Sequence, residues 1–553
     1  MFKPNPLGYS DGYKPGHKRM LAPGTDYLYG TWIPRSFKHA PPEIKKLVSI
    51  GQQFTWKWLH DVFDEWFFQK AWVDVQEFGE DLSKYLGQKY DQTHFKELHD
   101  LGYLPIKVKA LPEGIETGPN IPHMTFINTV AGFAWLTLYL ETPISAASWK
   151  MPTSATLALQ YKRNAKRQLE KTDPDNIGKL DYLCHDFSAR GTDPFTMLSS
   201  GLGHASSFRG SDTLICIEGA RYYYNEPKGE VCINSVNASE HSVSTTKIFT
   251  VGEKQMLIDW LLEFPAGILS VVADTFDLWK LLLEYLQDPY IKELIMARNG
   301  TLVLRPDSGD PVDIICGTIG NILEVKSVTT DHLLDSDFED FDYFKCNGTL
   351  YKVDHVAVEE RYEEYGTEQT TLWEAGYETF YSEVLDLNSP QQKGAMEILW
   401  DGFGGYTNDQ GYKVLDYHIG LIYGDAINLD RQIDIYQRLE EKKFASSNII
   451  LGVGSFTYQF NTRDTLGWAA KGAWFECNGE GFNIYKDPIT DDGTKKSLKG
   501  RVAVFIEDGE YVVKTECTAE QEDTGELRTI YENGEFLNQI SLTDIRASIN
   551  KLI

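Results

Sequence analysis

The chain has few cysteines, and none of them form a pair at close spacing. Its seven cysteines are scattered along 553 residues without a C-x-x-C motif. An odd number of dispersed thiols does not fit the framework of a small disulfide-stabilised domain. We therefore expect reduced thiols and a cytoplasmic location.

Long apolar runs are also missing. Charged residues interrupt every apolar stretch well before the roughly 18 residues that a membrane span needs. The N-terminal region is polar and rich in proline, without the apolar segment of a secretion signal. The sequence therefore predicts neither a membrane anchor nor export.

Positive charge is scarce. The chain has 53 Lys and Arg against 81 Asp and Glu, which gives a net charge of −28 and a pI of about 4.9. This balance argues against a general affinity for nucleic acid or for anionic membranes. An anionic substrate would have to be held by local positive charge. The length and an apolar content of 42% fit a globular protein of two or three domains.

From about residue 180 onward, apolar runs end in polar motifs and are followed by helical segments. Runs of this kind cover residues 267–277, 300–309, 417–427 and 448–456. Continuously apolar strands are typical of buried parallel sheets, and their alternation with helices favours a (β/α) barrel with its chemistry at the carboxyl ends of the strands. A doubly wound open sheet is the alternative, and spacing alone does not exclude it.

The two ends of the chain differ from this middle part. Residues 104–129 and the region after 480 read as short strands with turns, whereas 42–100 and 131–172 read as helical. We predict a discontinuous α+β domain with an antiparallel sheet, made of 1–150 and 480–553, and a barrel-like catalytic domain over 151–479. In 131–172, Thr153 is a possible N-cap. The cationic run that follows predicts a solvated helix face, formed by Lys162, Arg163, Lys166 and Arg167.

One barrel unit is abnormal, because the helix expected after R-P-D-S-G-D-P-V-D-I-I-C does not begin until about Ser389. The intervening residues 317–388 are rich in acids. A connection this long predicts an inserted subdomain or a lid near the mouth of the site. A solvated decoration is the other interpretation.

Arg305 and Asp307 follow one of the apolar strands. They alternate along the chain and so face the same side. The guanidinium could bind a phosphate, and the carboxylate could bind ribose hydroxyls or Mg²⁺. A simple salt bridge between the two is equally consistent with the pattern.

Glycines end the next two strands, at Gly424–Asp425 and at Gly454–Ser455. Glycine at a strand-to-helix turn lets backbone N–H groups approach a phosphate. His241 follows Glu240 in a polar segment. A neutral imidazole beside carboxylates can attack phosphorus, and Glu240 could hold its tautomer, but a plain structural histidine fits the sequence as well.

The motifs together carry a resemblance that spans nearly the whole chain. The chain closely resembles the nicotinamide phosphoribosyltransferases, which belong to the type II phosphoribosyltransferase family. The ordered motifs that carry this resemblance are D-G-Y-K-P-G-H (11–17), L-P-I-K-V-K-A-L-P-E-G (104–114), H-D-F-S-A-R-G (185–191), G-S-D-T (210–213), S-V-N-A-S-E-H-S (235–242), S-V-V-A-D-T-F-D (270–277), R-P-D-S-G-D-P (305–311), Y-G-D (423–425), T-R-D (462–464) and F-N-I-Y-K-D-P with K-G-R (482–501). The insertion at 317–388 is the clear departure.

The resemblance implies a pocket for the pyridine ring of nicotinamide. Phe187 would stack on one face of the ring, and Tyr13 of the second copy in a homodimer would stack on the other. Asp11 would also belong to the nicotinamide-binding residues. Arg190 would donate to the amide oxygen. Asp212 would accept from the amide NH₂, and its charge would repel nicotinate.

The resemblance also implies a site for the phosphoribosyl group, with Mg²⁺ as cofactor and ATP as a coupled co-substrate that phosphorylates His241. Asp274 and Asp307 would be the metal ligands. The family usually has a glycine where Ser455 stands. The implied phosphate and ribose ligands are Arg305, Asp307, Gly424, Asp425, Gly454, Ser455, Arg463, Arg35, Lys471, Lys486, Lys495 and Arg501.

The expected reaction is transfer of the phosphoribosyl group from 5-phosphoribosyl 1-pyrophosphate to nicotinamide, which gives nicotinamide mononucleotide and pyrophosphate and belongs to NAD salvage. A nicotinate phosphoribosyltransferase is the nearest alternative. A binding or signalling protein on the same scaffold is the alternative from another class, and the intact set of Asp212, His241, Arg305 and Asp307 argues against it.

Overall fold

The computed structural model describes residues 4–318, 389–486 and 498–553, together with the backbone of four strands between 323 and 383. The chain forms two compact units. Unit 1 comprises 1–164, 180–235 and 453–553, and unit 2 comprises 165–179 and 236–452. The predicted domain limits at 150 and 480 differ from these bounds, since 151–164, 180–235 and 453–479 belong to unit 1 in this division.

The strands are numbered in chain order. They are β1 Thr25–Pro34, β2 Leu47–Ser49, β3 Ile106–Ala110, β4 Ile115–Thr117, β5 Met124–Asn128, β6 Cys184–Asp186, β7 Gly210–Ser211, β8 Asn237–Ala238, β9 Leu269–Val272, β10 Leu302–Arg305, β11 Leu323–Val325, β12 Tyr343–Cys346, β13 Thr349–Arg361, β14 Trp373–Glu383, β15 Gly405–Thr407, β16 Lys413–Leu415, β17 Ile419–Tyr423, β18 Ile449–Val453, β19 Trp468–Cys477, β20 Glu480–Asn483, β21 Arg501–Glu507, β22 Glu510–Cys517, β23 Arg528–Glu532 and β24 Glu535–Phe536.

The α-helices are numbered in the same way. They are α1 His17–Met20, α2 Gln52–Phe63, α3 Trp72–Tyr85, α4 Thr93–Leu101, α5 Ala134–Ser148, α6 Lys150–Thr172, α7 Pro194–Ala205, α8 Cys216–Tyr224, α9 His241–Val251, α10 Glu253–Glu263, α11 Leu278–Lys280, α12 Pro289–Met296, α13 Pro311–Cys316, α14 Pro390–Phe403, α15 Leu429–Glu441, α16 Ser455–Tyr458, α17 Ala519–Glu522 and α18 Leu542–Ile549.

Unit 1 is built on an antiparallel sheet of seven strands in the order β20-β19-β1-β5-β3-β23-β24. Strands from both ends of the chain pair directly, β1 with β19 and β3 with β23. A large apolar core packs against this sheet, and in it the rings of Trp32 and Trp468 stack at 5.0 Å. The antiparallel sheet predicted from the N- and C-terminal parts is thereby confirmed.

The parallel strands of unit 2 follow the order β18-β17-β10-β9-β8. β10 pairs in parallel with β9 and β17, and β17 pairs with β18. Each of the four apolar runs contains one of these strands, and most residues of the four strands are buried. The predicted α/β fold class with a parallel, barrel-like sheet is confirmed.

The helix expected to begin at about Ser389 is α14, which starts at Pro390 with Ser389 as its N-cap. The short helix α13, where Asp310 accepts from the backbone N–H groups of Val312 and Asp313, was not predicted from the sequence. The prediction of Thr153 as an N-cap is wrong. This residue lies inside α6, where its hydroxyl donates to the Trp149 carbonyl at 2.6 Å.

The prediction of a solvated cationic face on α6 fails at Lys162. Its ammonium is buried and donates to Asp181, to the Ser207 carbonyl and to Asn550, at 2.5–2.8 Å. A buried ammonium needs such partners, because desolvation without them is costly. Arg163 is also paired, with Glu116. The sequence run looks solvated only because its acidic partners lie far away along the chain.

The insertion at 317–388 contains a four-stranded sheet in the order β11-β12-β13-β14. β13 and β14 pair antiparallel from Tyr351–Glu383 to Arg361–Trp373. Most of its acidic residues, including Asp335 and Glu363, lie outside the described residues. In the parts of the chain that the structure covers, no helix is both long and apolar enough to cross a bilayer.

Candidate functional site

An aromatic ring and a carboxylate lie at the carboxyl ends of two neighbouring strands in unit 1. Phe187 directly follows β6 and Asp212 directly follows β7, and the two strands pair in parallel. His185 connects them, because its ring centroid lies 4.9 Å from that of Phe187 and its Nε2 lies 3.0 Å from Asp212 Oδ1. Ser235 also donates to this Oδ1. The predicted nicotinamide residues Phe187 and Asp212 are thus brought together.

The buried carboxylate of Asp186 fixes the two loops that carry these side chains. Its Oδ1 accepts from the Ser188 N–H at 2.9 Å, and its Oδ2 accepts from the Thr213 hydroxyl at 2.6 Å. Its own carbonyl accepts from the Asp212 N–H. Because one residue holds both loops, the relative position of the ring and the acid is defined by three hydrogen bonds.

The turn Ala189–Gly191 carries Arg190, whose guanidinium is exposed. This turn packs tightly against the start of α16. A Cβ on Gly191 would lie 1.7 Å from Ser455 Oγ and 2.5 Å from Ser455 Cβ. A side chain at 191 is therefore incompatible with the present position of Ser455. Gly454, the residue before it, lies beside the Phe187 carbonyl.

A second cluster lies in unit 2 around His241, the first residue of α9. The imidazole is 46% exposed, and its Nε2 lies 3.7 Å from both Asp274 Oδ1 and Asp307 Oδ2. Its Nδ1 is 3.3 Å from the Thr275 hydroxyl. Glu240 was predicted to hold the histidine tautomer. The structure places Thr275 and the two aspartates next to the ring, and Glu240 takes the N-cap position of α9 with an exposed side chain.

Asp274 organises the loop after β10. Its Oδ2 accepts from the Asp307 N–H at 2.9 Å and from the Ser308 hydroxyl at 2.5 Å, and its Oδ1 is buried without a hydrogen-bond partner. Arg305 Nη1 forms a 2.8 Å ion pair with Asp307 Oδ1. The salt bridge that the sequence left open as an alternative is therefore present.

The Tyr423 hydroxyl donates to the Gly309 carbonyl at 2.8 Å and so holds the far end of the same loop. Burial raises the pKa of Tyr423, and the carboxylates of Asp425, Asp274, Asp307 and Asp310 raise it further, so the phenol remains protonated and can donate. Gly424 and the exposed Asp425 follow this tyrosine at the end of β17.

A cavity of about 320 Å³ lies in unit 1. Arg35 directly follows β1, and Lys471 lies opposite Thr31 of β1 in the paired strand β19; both cations line this cavity. Arg463 lies before β19 and lines the same cavity. The complete lining is Asp11, Tyr13, Lys14, Arg35, Glu141, Thr142, Ser145, Ala146, Trp149, Arg463, Ala469, Ala470 and Lys471. Four of these side chains are cationic and two are anionic, so the cavity suits an anion.

Tyr13 and Asp11 lie at this cavity. The Tyr13 ring is 65% exposed, and the Asp11 carboxylate accepts from the Thr142 hydroxyl at 2.6 Å. Partial burial and the carboxylates of Asp11 and Glu141 raise the pKa of Tyr13, so its ring stays uncharged. An exposed, neutral ring is available for stacking.

Not every predicted cation joins this cavity. The Arg501 guanidinium lies over the rings of Tyr29 and Trp474, at 5.1 and 5.0 Å, and pairs with the buried Glu522 at 3.1 Å. Lys486 is exposed at the end of a described segment. Lys495 lies outside the described residues.

Asp274 and Asp307 were predicted as metal ligands. In the part of the chain that the structure describes, no group of three or more His, Cys, Asp or Glu side chains is arranged to hold a metal ion. Two carboxylates, one with a buried oxygen that lacks a partner, are nevertheless what Mg²⁺ uses when substrate phosphates and water complete its shell.

Sequence reasoning missed His185 and Asp186 as site residues. Both stand in the H-D-F-S-A-R-G motif, and Asp186 precedes Phe187 directly. The signal was available, because a polar pair inside a short buried strand calls for partners. Glu240 was predicted to contact His241 because it is next to it in the sequence. Thr275 was not predicted, because only the fold brings it close to the imidazole.

Comparison with known proteins first defines the class. The crystal structure of nicotinate-nucleotide pyrophosphorylase from Pyrococcus furiosus matches 100% of this chain and 96% of its own length, with a TM-score of 0.52 and 14% identity. Together with the parallel and antiparallel sheets described above, this match shows the fold of the type II phosphoribosyltransferases.

The family follows from sequence. The model of the nicotinate phosphoribosyltransferase (NAPRTase) family matches residues 182–535. A nicotinamide phosphoribosyltransferase from Acinetobacter baylyi is 36% identical and covers 99% of this chain and 97% of its own length. A nicotinamide phosphoribosyltransferase from Mycoplasma pneumoniae is 30% identical and covers 74% of this chain and 73% of its own length. The chain belongs to the nicotinate phosphoribosyltransferase family, and the prediction that it is a phosphoribosyltransferase is confirmed.

Proposed function

We propose that the protein transfers the phosphoribosyl group of 5-phosphoribosyl 1-pyrophosphate to nicotinamide. The observation that carries this proposal is the Asp212 carboxylate held beside the Phe187 ring through His185. A carboxylate accepts hydrogen bonds from a carboxamide NH₂ but repels the carboxylate of nicotinate. The family model is named after the nicotinate enzyme, whereas the relatives are named as nicotinamide enzymes. The Asp212 side chain favours nicotinamide.

The chemical step needs little proton transfer. The bond between C1 of the ribose and the pyrophosphate oxygen breaks, and the lone pair of the pyridine nitrogen forms the new C1–N bond. Negative charge builds up on the leaving pyrophosphate, so cationic side chains and Mg²⁺ lower the barrier. Arg305 would bind phosphate oxygens, and the cavity cations Arg35, Arg463 and Lys471 are suited to the same task. Asp274 and Asp307 would hold Mg²⁺, which neutralises pyrophosphate when bound.

His241 would be the residue that couples ATP to the reaction. It would attack the terminal phosphorus of ATP, with ADP as the leaving group, and water would later release the phosphate. Two features support this role. The imidazole is exposed, and it stands at the N-terminus of the eleven-residue helix α9, where the backbone favours negative charge.

Two copies of the chain would share each site. The exposed Tyr13 would cover the open face of the ring bound at the partner copy's aromatic slot, and the cationic cavity beside Tyr13 would meet the partner's sugar phosphate. The product, nicotinamide mononucleotide, places the protein in NAD salvage, and the cytoplasm is the expected location.

The deciding experiment is a product assay with purified protein, 5-phosphoribosyl 1-pyrophosphate and Mg²⁺. Nicotinamide is expected to give nicotinamide mononucleotide, and nicotinate is expected to react far more slowly. Failure to form any mononucleotide would contradict the proposal. Faster turnover of nicotinate would favour the acid-specific alternative.

His241→Ala tests the coupling. We expect the variant to form no acid-labile phosphoenzyme with γ-labelled ATP and to lose the ATP-dependent rise in kcat/KM, while turnover without ATP persists within about threefold. The matched control is His39→Ala at an exposed histidine. An unchanged ATP effect in His241→Ala would contradict this role.

A further inference from the structure

The geometry points to His185 as a residue that determines specificity by positioning Asp212, so that the acid end of the pocket selects a carboxamide. This inference rests on the proposed function and goes beyond it. It concerns His185, which positions the Asp212 carboxylate, rather than Asp212 itself.

The Asp212 side chain is 45% exposed and follows the two-residue strand β7, so its rotamer depends on the neighbouring side chains that bind it. His185 comes from the middle of the neighbouring strand β6, and its side chain is only 13% exposed. A hydrogen bond from this more rigid neighbour limits where the carboxylate can point.

The hydrogen-bond pattern also assigns the proton. A carboxylate oxygen only accepts, so the His185 nitrogen that faces Asp212 Oδ1 at 3.0 Å must be the donor. The same oxygen accepts from the Ser235 hydroxyl. Both donors act on one oxygen of the carboxylate, and the negative charge of that carboxylate is what repels nicotinate.

The backbone is shaped around this imidazole. Gly210 is the direct partner of His185 in the β6–β7 register. A Cβ on Gly210 would lie 2.9 Å from His185 Nδ1, which is closer than side-chain carbons approach. The glycine therefore leaves room for the ring in the orientation that points Nε2 at Asp212. This observation is independent of the hydrogen bond itself.

His185 also touches the aromatic side of the pocket, because its ring lies 4.9 Å from the Phe187 ring at an angle of 45°. It thus sets the spacing between the stacking face and the acid end. A substrate that stacks on Phe187 meets the carboxylate only if this spacing is kept, so changes at His185 are expected to act on substrate choice more than on the chemical step.

The test compares His185→Phe, which keeps a ring but removes the donor, with His185→Gln, whose side-chain amide can still donate. Steady-state constants are measured for nicotinamide, nicotinate and 5-phosphoribosyl 1-pyrophosphate. For His185→Phe we expect KM for nicotinamide to rise about tenfold, with kcat within about threefold and KM for 5-phosphoribosyl 1-pyrophosphate unchanged. The preference for nicotinamide over nicotinate should fall by a similar factor, and His185→Gln should restore most of it.

Gly210→Ala provides a second route to the same readout, and it also serves if His185→Phe is insoluble. It should raise KM for nicotinamide and weaken the preference with His185 still in place. If a folded His185→Phe keeps the wild-type preference within twofold, or if His185→Gln is as impaired as His185→Phe, the inference is wrong. A wild-type protein that makes no mononucleotide from nicotinamide would instead overturn the proposed function, so the two failures are distinct.

Discussion

At the scale of single residues, Asp212 is the charged group that would face the substituent of a pyridine substrate. Asp212→Asn keeps the size of the side chain but removes its charge. We expect the ratio of kcat/KM for nicotinamide to that for nicotinate to fall at least about tenfold, because the repulsion of the acid disappears. Asp259→Asn is the matched control, a carboxylate that pairs with Lys247 on α9. An unchanged ratio in Asp212→Asn would contradict the proposed pocket.

Three buried histidines of unit 1 make stability depend on pH. Burial lowers the pKa of His94 and of His123 to about 3, and that of His204 to about 4. The unfolded chain binds a proton at each histidine below about pH 6.5, whereas the folded chain does not. The folded state is therefore at its full stability above that pH and loses about 1.4 kcal/mol per histidine and pH unit as the pH falls towards the folded pKa.

This dependence can be checked by urea unfolding at pH 7.5 and pH 5, where we expect a loss of about 2 kcal/mol per buried histidine. His123→Gln removes one titrating ring, so the loss between the two pH values should shrink by about that amount. His39→Gln at an exposed position is the control. The same pH dependence in His123→Gln and the wild type would show that His123 is not the source.

Residue patterns revealed part of the site and missed another part. Phe187 and Asp212 were found because whole motifs surround them. The contact of His185 with Asp212 was not found, because it depends on the register of β6 against β7 rather than on any local pattern. Arg501 was placed with the phosphate ligands, yet it pairs with Glu522, a partner that only the tertiary fold brings near.

At the scale of elements, the contact between the turn Ala189–Gly191 and the start of α16 is tight enough to test. In Gly191→Ala the new methyl group would collide with both Oγ and Cβ of Ser455. We expect a loss of about 2 kcal/mol in the free energy of unfolding, and weaker nicotinamide binding, because Arg190 lies in that turn.

Ser455→Gly should rescue Gly191→Ala, since it removes the two colliding atoms. A double-mutant cycle from urea unfolding measures the coupling, which we expect to exceed about 1 kcal/mol. Ser455→Gly alone provides the reference. Additive effects of the two changes would show that the turn moves away freely.

The sequence predicted the long apolar strands more easily than a short helix or the pairing of buried charges. The four apolar runs predicted β9, β10, β17 and β18, because a continuous run of β-branched residues is typical of a strand buried on both faces. Helix α13 was missed because its six residues are too few to show a helical period, and the cap at Asp310 is the only local signal. Lys162 shows the same limit, since periodicity does not reveal which charges are paired.

At the scale of the whole molecule, the proposed shared site predicts complementation between defective copies. Tyr13→Ala would remove the covering ring, and Asp212→Ala would remove the acid, so each homodimer should be nearly inactive. A mixed dimer has one intact site, made of Tyr13 from one copy and Asp212 from the other. After unfolding and refolding together in equal amounts, about a quarter of wild-type activity should return.

The control is each variant refolded alone under the same conditions. Activity of the mixture no higher than the mean of the two variants refolded alone, at equal total protein, would contradict a shared site. Size-exclusion chromatography with light scattering gives the oligomeric state of each sample, so that loss of assembly is told apart from loss of catalysis.

The sheet that joins both ends of the chain has a consequence for biosynthesis. While the ribosome is still translating, β1, β3 and β5 have already emerged, but β19 and β23, which pair with β1 and β3, have not. The parallel strands of unit 2 are all made within one stretch of synthesis and have their partners at hand. The edges of β1 and β3 therefore stay unpaired until β19 and β23 have been made, and exposed strand edges of this kind promote pairing with other chains.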